Sequence, residues 1–287
     1  MIPASEAEFG RHAPGNLLRT LIRLAQNVPR NWLGQQFAQM VRKIVIYCST
    51  LPVDVEVGPI KMRCYIKDNN SEKKFIFMPW RFDRIERGLL CQSLPQDGCF
   101  LDIGANVGIY TLTVAAHLGV GGRIVAFEPN PPAFNRLCFN IHATKTGHRA
   151  WPEITPLPLG VSDAAGEFRL HLDSGNLGGS SIVRHGDART AKDACPSGYV
   201  NIPCKPLLVI LKELKIRRVD AIKIDIEGAE DMALVPYLEN APDELLPNLI
   251  IIENSEHQWR RDLVGALARK GYTRQTRSRM NTVYRRG

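Results

Sequence analysis

Short apolar runs separated by helix-length stretches organise the chain from residue 99 onward. Cys99–Asp102, Arg123–Glu128, Ile154–Val161, Val219–Ile226 and Leu249–Asn254 each predict a strand. Between them, Ile109, Leu112, Ala115 and Ala116 recur at helical spacing, with Gly119 placed as a stop. Asn130 and Pro131 suit the cap and first turn of a helix whose inner stripe is Phe134, Leu137, Cys138 and Ile141. Pro206–Leu214 and Ser255–Lys270 predict two further helices, the second stopped by Gly271. Alternation of this kind predicts a parallel sheet covered by helices on both faces. Pro156 and Pro158 place the third strand at an edge. Tyr272–Thr276 and Asn281–Arg285 predict a closing hairpin, and the alternating stretch 168–172 an extra strand.

The first part of the chain has a different pattern. Leu17, Leu18, Leu21, Ile22 and Ala25 mark one amphipathic helix stopped near Pro29, and Leu33, Phe37, Met40, Val41 and Ile44 mark another. Val53–Ile66, turning at Gly58-Pro59, predicts a β-hairpin; Phe75-Ile-Phe-Met adds a strand, and Arg81–Leu94 a helix. The resulting division is 1–50 for an amphipathic helical region, 51–96 for a small β/α cap and 97–287 for the main domain.

Composition narrows the class. The 287 residues are 44% hydrophobic and 23% charged, as in a soluble globular protein, and no apolar run reaches spanning length. Seven cysteines without a Cys-x-x-Cys pair or a zinc-like His partner point to reduced thiols, a cytoplasmic location and no structural metal. The net charge of +8 permits an acidic substrate, a membrane surface or nucleic acid without selecting one. Arg30, Arg42 and Lys43 flank the leading helices. Such helices can lie on anionic membranes, but packing on the domain or on a second subunit of a homodimer is the commoner outcome.

The stretch from Cys99 to Gly108 carries the first chemistry. A strand ends on Asp102, glycines follow at Gly104 and Gly108, and a helix begins, so a ligand would meet close backbone and free helix N–H groups. The spacing is Gly-x-x-x-Gly rather than the Gly-x-Gly-x-x-Gly of dinucleotide sites, which argues against an NAD-dependent oxidoreductase. An acid before the turn repels a pyrophosphate and welcomes a cation, and S-adenosylmethionine (SAM) carries an ammonium and a sulfonium. Glu128, ending the second strand, is placed to accept ribose hydroxyls. Asp102, Gly104, Ala105, Asn106, Gly108, Glu128, Pro129 and Asn130 form this two-part adenosine signal.

Leu101-Asp-Ile-Gly-Ala-Asn-Val-Gly108, Ala126-Phe-Glu-Pro-Asn130, Val161-Ser-Asp163, Gly178-Gly-Ser-Ser181 and Ile222-Lys-Ile-Asp-Ile-Glu-Gly-Ala-Glu230 resemble, in order, the motif series of the FkbM family. The resemblance covers roughly residues 86–284 and implies a SAM-dependent class I methyltransferase acting mostly on hydroxyl oxygens of small molecules and sugars. It implies a Rossmann-like α/β fold, a mostly parallel seven-stranded sheet with an antiparallel C-terminal hairpin. By the same resemblance, Ser162 and Asp163 approach the adenine, and Gly179, Ser180 and Ser181 belong to a loop closing beside the reacting groups.

The fourth strand bears on catalysis. Ile222, Ile224 and Ile226 alternate with Lys223, Asp225 and Glu227, and charges in a central strand are costly unless paired or facing a cleft. Asp225 and Glu227, with Glu253 at the end of the fifth strand, are the expected catalytic acids, since an alcohol needs a base to become a good nucleophile. His257 follows one step beyond as a substrate-side candidate. Asp225, Glu253 and Asn254 offer oxygens that suit a hard cation, but the resemblance requires no metal and none is expected. The expected activity is methyl transfer from SAM to a small hydroxylated acceptor. A nucleic-acid or N-methyltransferase is the alternative within enzymes, disfavoured because no Asn/Asp-Pro-Pro-Tyr stretch is present. A non-catalytic SAM-binding partner protein is the other. Because the motifs begin after them, the leading helices are expected to be dispensable for cofactor binding.

Overall fold

The computed structural model describes residues 7–148, 150–171, 175, 179 and 198–287, with the backbone of 181–182. Its elements, in order, are α1 (Asn16–Gln26), α2 (Trp32–Cys48), β1 (Val53–Val57), β2 (Ile60–Cys64), α3 (Asn70–Phe77), α4 (Arg84–Ser93), β3 (Cys99–Ile103), α5 (Ile109–Ala115), β4 (Arg123–Phe127), α6 (Pro131–Lys145), β5 (Glu153–Leu157), β6 (Gly160–Val161), β7 (Gly166–His171), β8 (Ser181–Ile182), β9 (Tyr199–Lys205), α7 (Leu207–Glu213), β10 (Ala221–Ile224), α8 (Glu230–Asn240), β11 (Leu249–Glu253), α9 (Leu263–Arg269), β12 (Tyr272–Arg277) and β13 (Asn281–Arg286).

The expected seven-stranded sheet runs in the order β12-β13-β11-β10-β3-β4-β5. Its five inner and edge strands from β11 to β5 are parallel, and β13 returns antiparallel to both β11 and β12. Alternation sorts the side chains. Leu101, Ile103, Ile222, Ile224, Ile250 and Ile252 pack against α7, α8 and α9, while Phe100, Ile124, Ala221, Leu249 and Ile251 pack against α4 and α5. Helices on both faces follow from the right-handed crossovers that parallel strands require. β5, with Pro156, holds the edge, so its missing N–H leaves no ladder bond unmade inside the sheet. A second sheet, ordered β6-β9-β7-β8, follows β5 and includes the strand expected at 168–172.

Several expectations give way to tertiary packing. Phe75-Ile-Phe-Met does not form a strand: Asn69 caps α3 by accepting from the N–H groups of Ser71 and Glu72, and the apolar run becomes the buried side of a helix. Gly119 does not end α5, which closes at Ala116, and its N–H instead meets the Gln96 carbonyl at 2.8 Å. Asn130 occupies the cap position of α6, but its side chain does not cap the helix. Ser255–Lys270 is no single helix. A short 3-10 turn at Glu256–Gln258 is followed by α9, capped by Asp262 through the Gly265 N–H at 2.8 Å.

The leading helices are integral to the packing. One apolar cluster runs from Ile22, Ala25, Ala38 and Val41 through the β1–β2 hairpin and α3 to Val107, Ile109 and Leu112 beside the glycine turn. Removing 1–50 would therefore uncover the core that backs the turn. No described helix is long and apolar enough to cross a membrane. The six described cysteines are all free thiols.

Candidate active site

A cavity of about 290 Å³ opens at the C-terminal ends of β3, β4, β10 and β11, where ligands bind in sheets of this kind. The turn after β3 is shaped by its own packing. Gly104 has φ +78°, and a Cβ there would lie 1.9 Å from the Asp225 carbonyl oxygen; at Gly108, with φ +93°, it would meet Leu137 Cδ1 at 2.7 Å. Both glycines are thus demanded by left-handed backbone and by neighbouring protein, a reason the sequence pattern does not disclose. The N–H groups of Gly104 and Ala105 both bond the Phe127 carbonyl, tying this turn to the end of β4.

Asp102 is fully buried. Its Oδ2 accepts from the Thr111 N–H at 2.9 Å and hydroxyl at 2.6 Å, while Oδ1 has no partner. Burial raises its pKa against the opposing pull of Lys223. Glu128 accepts from the Asn106 N–H at 2.7 Å and from the Asn130 N–H at 2.9 Å, one through each oxygen. Each oxygen keeps a lone pair for a further donor, and burial pushes the carboxyl up to about 7.

β10 ends at Ile224, so Asp225 and Glu227 do not extend a strand face as expected but stand on the turn that leaves it. Glu227 takes φ +55°. Even so, Asp225, Glu227 and Glu253 converge, one oxygen of each lying within 4.8 Å of the others. Lys223 is the expected partner, its Nζ 3.0 Å from Asp225 Oδ2; burial lowers its pKa, but Asp225 and Asp102 outweigh that and raise it. Burial, reinforced by Asp225 and Glu227, pushes Glu253 up to about 9. Glu253 Oε2 is buried without a partner. The cluster therefore favours the protonated form of Glu253, with Lys223 supplying a cation on the Asp225 side.

The turn bearing two of these acids is fixed from α8. Glu230, fully buried, accepts from the Ile226 and Gly228 N–H groups at 3.0 and 3.2 Å. Its other oxygen accepts from Ser255 Oγ at 2.5 Å and Trp259 Nε1 at 2.8 Å. One carboxylate thereby joins the turn after β10 to the segment after β11.

The cap completes the wall. Asn70, Ser71 and Lys74 of α3 and Asp83 before α4 line the cavity, as do Tyr110 and Asn281. The Asn69 side chain donates to Asn106 Oδ1 at 3.0 Å, linking α3 to the glycine turn. The Tyr110 hydroxyl donates to Asp83 at 3.1 Å, and burial, with Glu86 nearby, raises the Asp83 pKa. Asp83, Asn106 and Glu227 are three of the four described non-glycine residues with positive φ, and all three line the cavity. Left-handed backbone at such residues costs energy and is held where a site demands a particular shape.

Among the described residues, the cavity brings together Asp102, Gly104, Ala105, Asn106, Glu128, Pro129, Asp225, Glu227 and Glu253. Gly108 and Asn130 stand behind the lining, and Gly179 outside it. The second sheet reaches the cavity through Gly160, Val161 and Leu170 rather than through Ser162 and Asp163, which bond each other at 3.2 Å. Asp163 is also engaged by Arg261. His257 is exposed on the 3-10 turn, away from the lining. Ser181, in β8, pairs through its backbone with His171 of β7; Gly178 and Ser180 lie outside the described residues. The cap, which by family resemblance is expected to form a small lid over the substrate pocket, thus contributes through individual residues of α3 and Asp83 that no sequence motif singles out. Their local signal is the Asn69 cap before Ser71 and Glu72.

Residues 102–276 match the Methyltransferase FkbM domain family. The chain is 28% identical over 165 residues to the AMB antimetabolite synthetase AmbE of Pseudomonas aeruginosa, covering 48% of this chain and 7% of that protein. It is 25% identical over 165 residues to the hexuronic acid methyltransferase AglP of Haloferax volcanii, covering 58% of this chain and 59% of that one. The chain thus spans only part of these two relatives. Methyltransferase sdnD of Sordaria araneosa is 26% identical over 180 residues, with 55% and 67% covered. Among solved structures, a methyltransferase FkbM from Methylobacillus flagellatus KT aligns with a TM-score of 0.39 at 16% identity, over 76% of this chain and 55% of that one.

Proposed function

The chain belongs to the FkbM methyltransferase family, and from that premise we propose that it transfers a methyl group from SAM to a hydroxyl oxygen of a small acceptor, a sugar unit or a natural-product alcohol. The observation that carries this reading is the convergence of three carboxyl groups, Asp225, Glu227 and Glu253, on the cavity whose inner wall also includes the buried Asp102 and Glu128. Asp102 Oδ1, buried and unpartnered, fits the ammonium of SAM, and the spare lone pairs of Glu128 fit its ribose hydroxyls. When bound, SAM supplies an activated methyl group on a good leaving group, so the protein's task is to hold the acceptor oxygen in line.

Activation of that oxygen falls to the acids. Glu253, whose carboxyl is pushed up to about 9 by burial, is a donor toward Asp225, while Lys223 pairs with Asp225 from the other side. Asp225 then takes the proton leaving the acceptor hydroxyl, and Glu253 and Glu227 orient the acceptor by hydrogen bonds. The cap residues Asn70, Ser71 and Lys74 form the wall that selects the acceptor. A sugar acceptor agrees with the hexuronic acid named for the relative AglP, and the polar cap wall suits a polyhydroxylated ligand.

The test is methyl transfer from labelled SAM to a panel of uronic acids, sugar glycosides and simple alcohols, with products identified by mass and fragmentation. Asp225→Asn is expected to lower turnover roughly 10²–10⁴-fold with little change in SAM affinity. Transfer to nitrogen only, or full turnover in Asp225→Asn, Glu227→Gln and Glu253→Gln alike, overturns the assignment.

A further inference from the structure

We propose that the α1–α2 hairpin docks the protein on an anionic lipid surface. α1 and α2 pack on each other and on α3, so their remaining sides turn outward. Those sides are not polar. Leu17, Trp32, Leu33 and Tyr47 are 74%, 69%, 67% and 91% exposed, and Leu24 and Met40 are about half exposed. Leu33, Met40 and Tyr47 fall at successive sevens along α2 and so form one stripe.

Charge identifies the occupant. From residue 9 to residue 53 the sequence contains no Asp or Glu, while Arg11, Arg19, Arg23, Arg30, Arg42 and Lys43 are all basic. Arg19, Arg30 and Lys43 are exposed; Arg30 stands just before α2, and Lys43 lies three residues beyond Met40. Arg19 and Arg23 instead line a hollow with Glu56, Arg23 lying 3.7 Å from Glu56, itself half exposed. Exposed Trp, Tyr and Leu set among basic residues are what the headgroup region of an anionic bilayer accommodates: rings and aliphatic tips enter the acyl boundary while the cations meet lipid phosphates. A second copy of the same face would instead bring two surfaces with a basic excess together, which like-charge repulsion opposes.

Docking also has a geometric consequence. α3, on which both helices rest, contributes Asn70, Ser71 and Lys74 to the cavity wall, so the bound face lies one helix layer from the cavity. The proposal does not depend on methyl transfer, and its failure would leave the proposed activity untouched.

The test is vesicle flotation of the full chain with phosphatidylcholine alone and with phosphatidylcholine containing one third phosphatidylglycerol. Binding is expected to the second only, and to weaken as salt is raised. Arg30→Gln with Lys43→Gln should reduce it roughly 30-fold, since each basic residue near an anionic surface contributes about fivefold. Leu33→Ser with Tyr47→Ser, both exposed and free of the core, should abolish it while leaving thermal unfolding unchanged. A blue shift of tryptophan emission on adding anionic vesicles should vanish in Trp32→Phe. Absence of binding, equal binding to both vesicles, or insensitivity to these variants overturns the proposal. So does a dimer in sedimentation equilibrium that Leu33→Ser with Tyr47→Ser dissociates, because the face would then be a subunit interface.

Discussion

Replacing Glu230 should unsettle the turn that carries Asp225 and Glu227 before anything else in the protein. All four of its partners are donors: the N–H groups of Ile226 and Gly228 on one oxygen, Ser255 Oγ and Trp259 Nε1 on the other. In Glu230→Gln the amide oxygen must stay on the two backbone N–H groups, since neither can accept, which turns the NH₂ toward Ser255 and Trp259. The serine hydroxyl can rotate to accept, and Trp259 retains Ser255 Oγ at 3.1 Å as a second acceptor. What is lost is one or two charge-assisted bonds at about 1.5–3 kcal/mol each, partly recovered, for a net cost of about 2 kcal/mol. Glu230→Ala orphans two buried backbone N–H groups as well, and should cost about 4 kcal/mol. Urea unfolding of the two variants measures these values. Because the turn carries Asp225 and Glu227, methyl-transfer turnover should fall in both variants while S-adenosylhomocysteine affinity changes by less. Wild-type midpoints and wild-type turnover in Glu230→Gln would refute the assignment of Glu230 as the brace of the site.

Two further outcomes follow from burial and backbone geometry. Glu128, Glu72 and Glu253 are pushed up to about 7, 8 and 9, chiefly by burial, so the folded chain holds protons that the unfolded chain releases. Their contribution to stability is full below about pH 4.5 and is lost as pH rises through those values, so melting temperature should fall between about pH 5 and pH 9; a flat or rising profile contradicts this. Gly104→Ala combines a left-handed φ with a Cβ 1.9 Å from the Asp225 carbonyl, and should cost roughly 2–4 kcal/mol while abolishing cofactor binding. Native stability in that variant would show that the ends of β3 and β10 can separate freely.

The parts of this site that were legible in the sequence are those written in local pattern. β3, β4 and β11, which carry Asp102, Glu128 and Glu253 at or next to their last residue, are short apolar runs, and a parallel sheet sends those ends to one edge. Gly104 and Gly108 were legible as a turn because glycine is nearly alone in tolerating φ near +80° to +90°. The α3 segment was not legible, because a four-residue apolar run fits a strand or one buried helical face equally well. Nor was the break after Ser255: Asp231 draws the Arg260 and Arg261 N–H groups at 2.8 and 2.9 Å, a long-range competition that helical periodicity cannot register. Asp83 and Lys74 reach the cavity only through the packing of the cap on α5, so nothing adjacent in the sequence marks them.

The proposed activity requires SAM to bind between Asp102 and Glu128, which titration calorimetry measures. S-adenosylhomocysteine should bind the wild-type chain at a single site, and Glu128→Ala should weaken it by about 1.5–3 kcal/mol, roughly 10- to 150-fold. The backbone N–H groups of Asn130 and Asn106 lose their side-chain acceptor in that variant, so Glu128→Gln, which keeps one acceptor oxygen in place, should show a smaller loss. No binding to the folded wild-type chain, or equal affinity in all three proteins, would contradict the account.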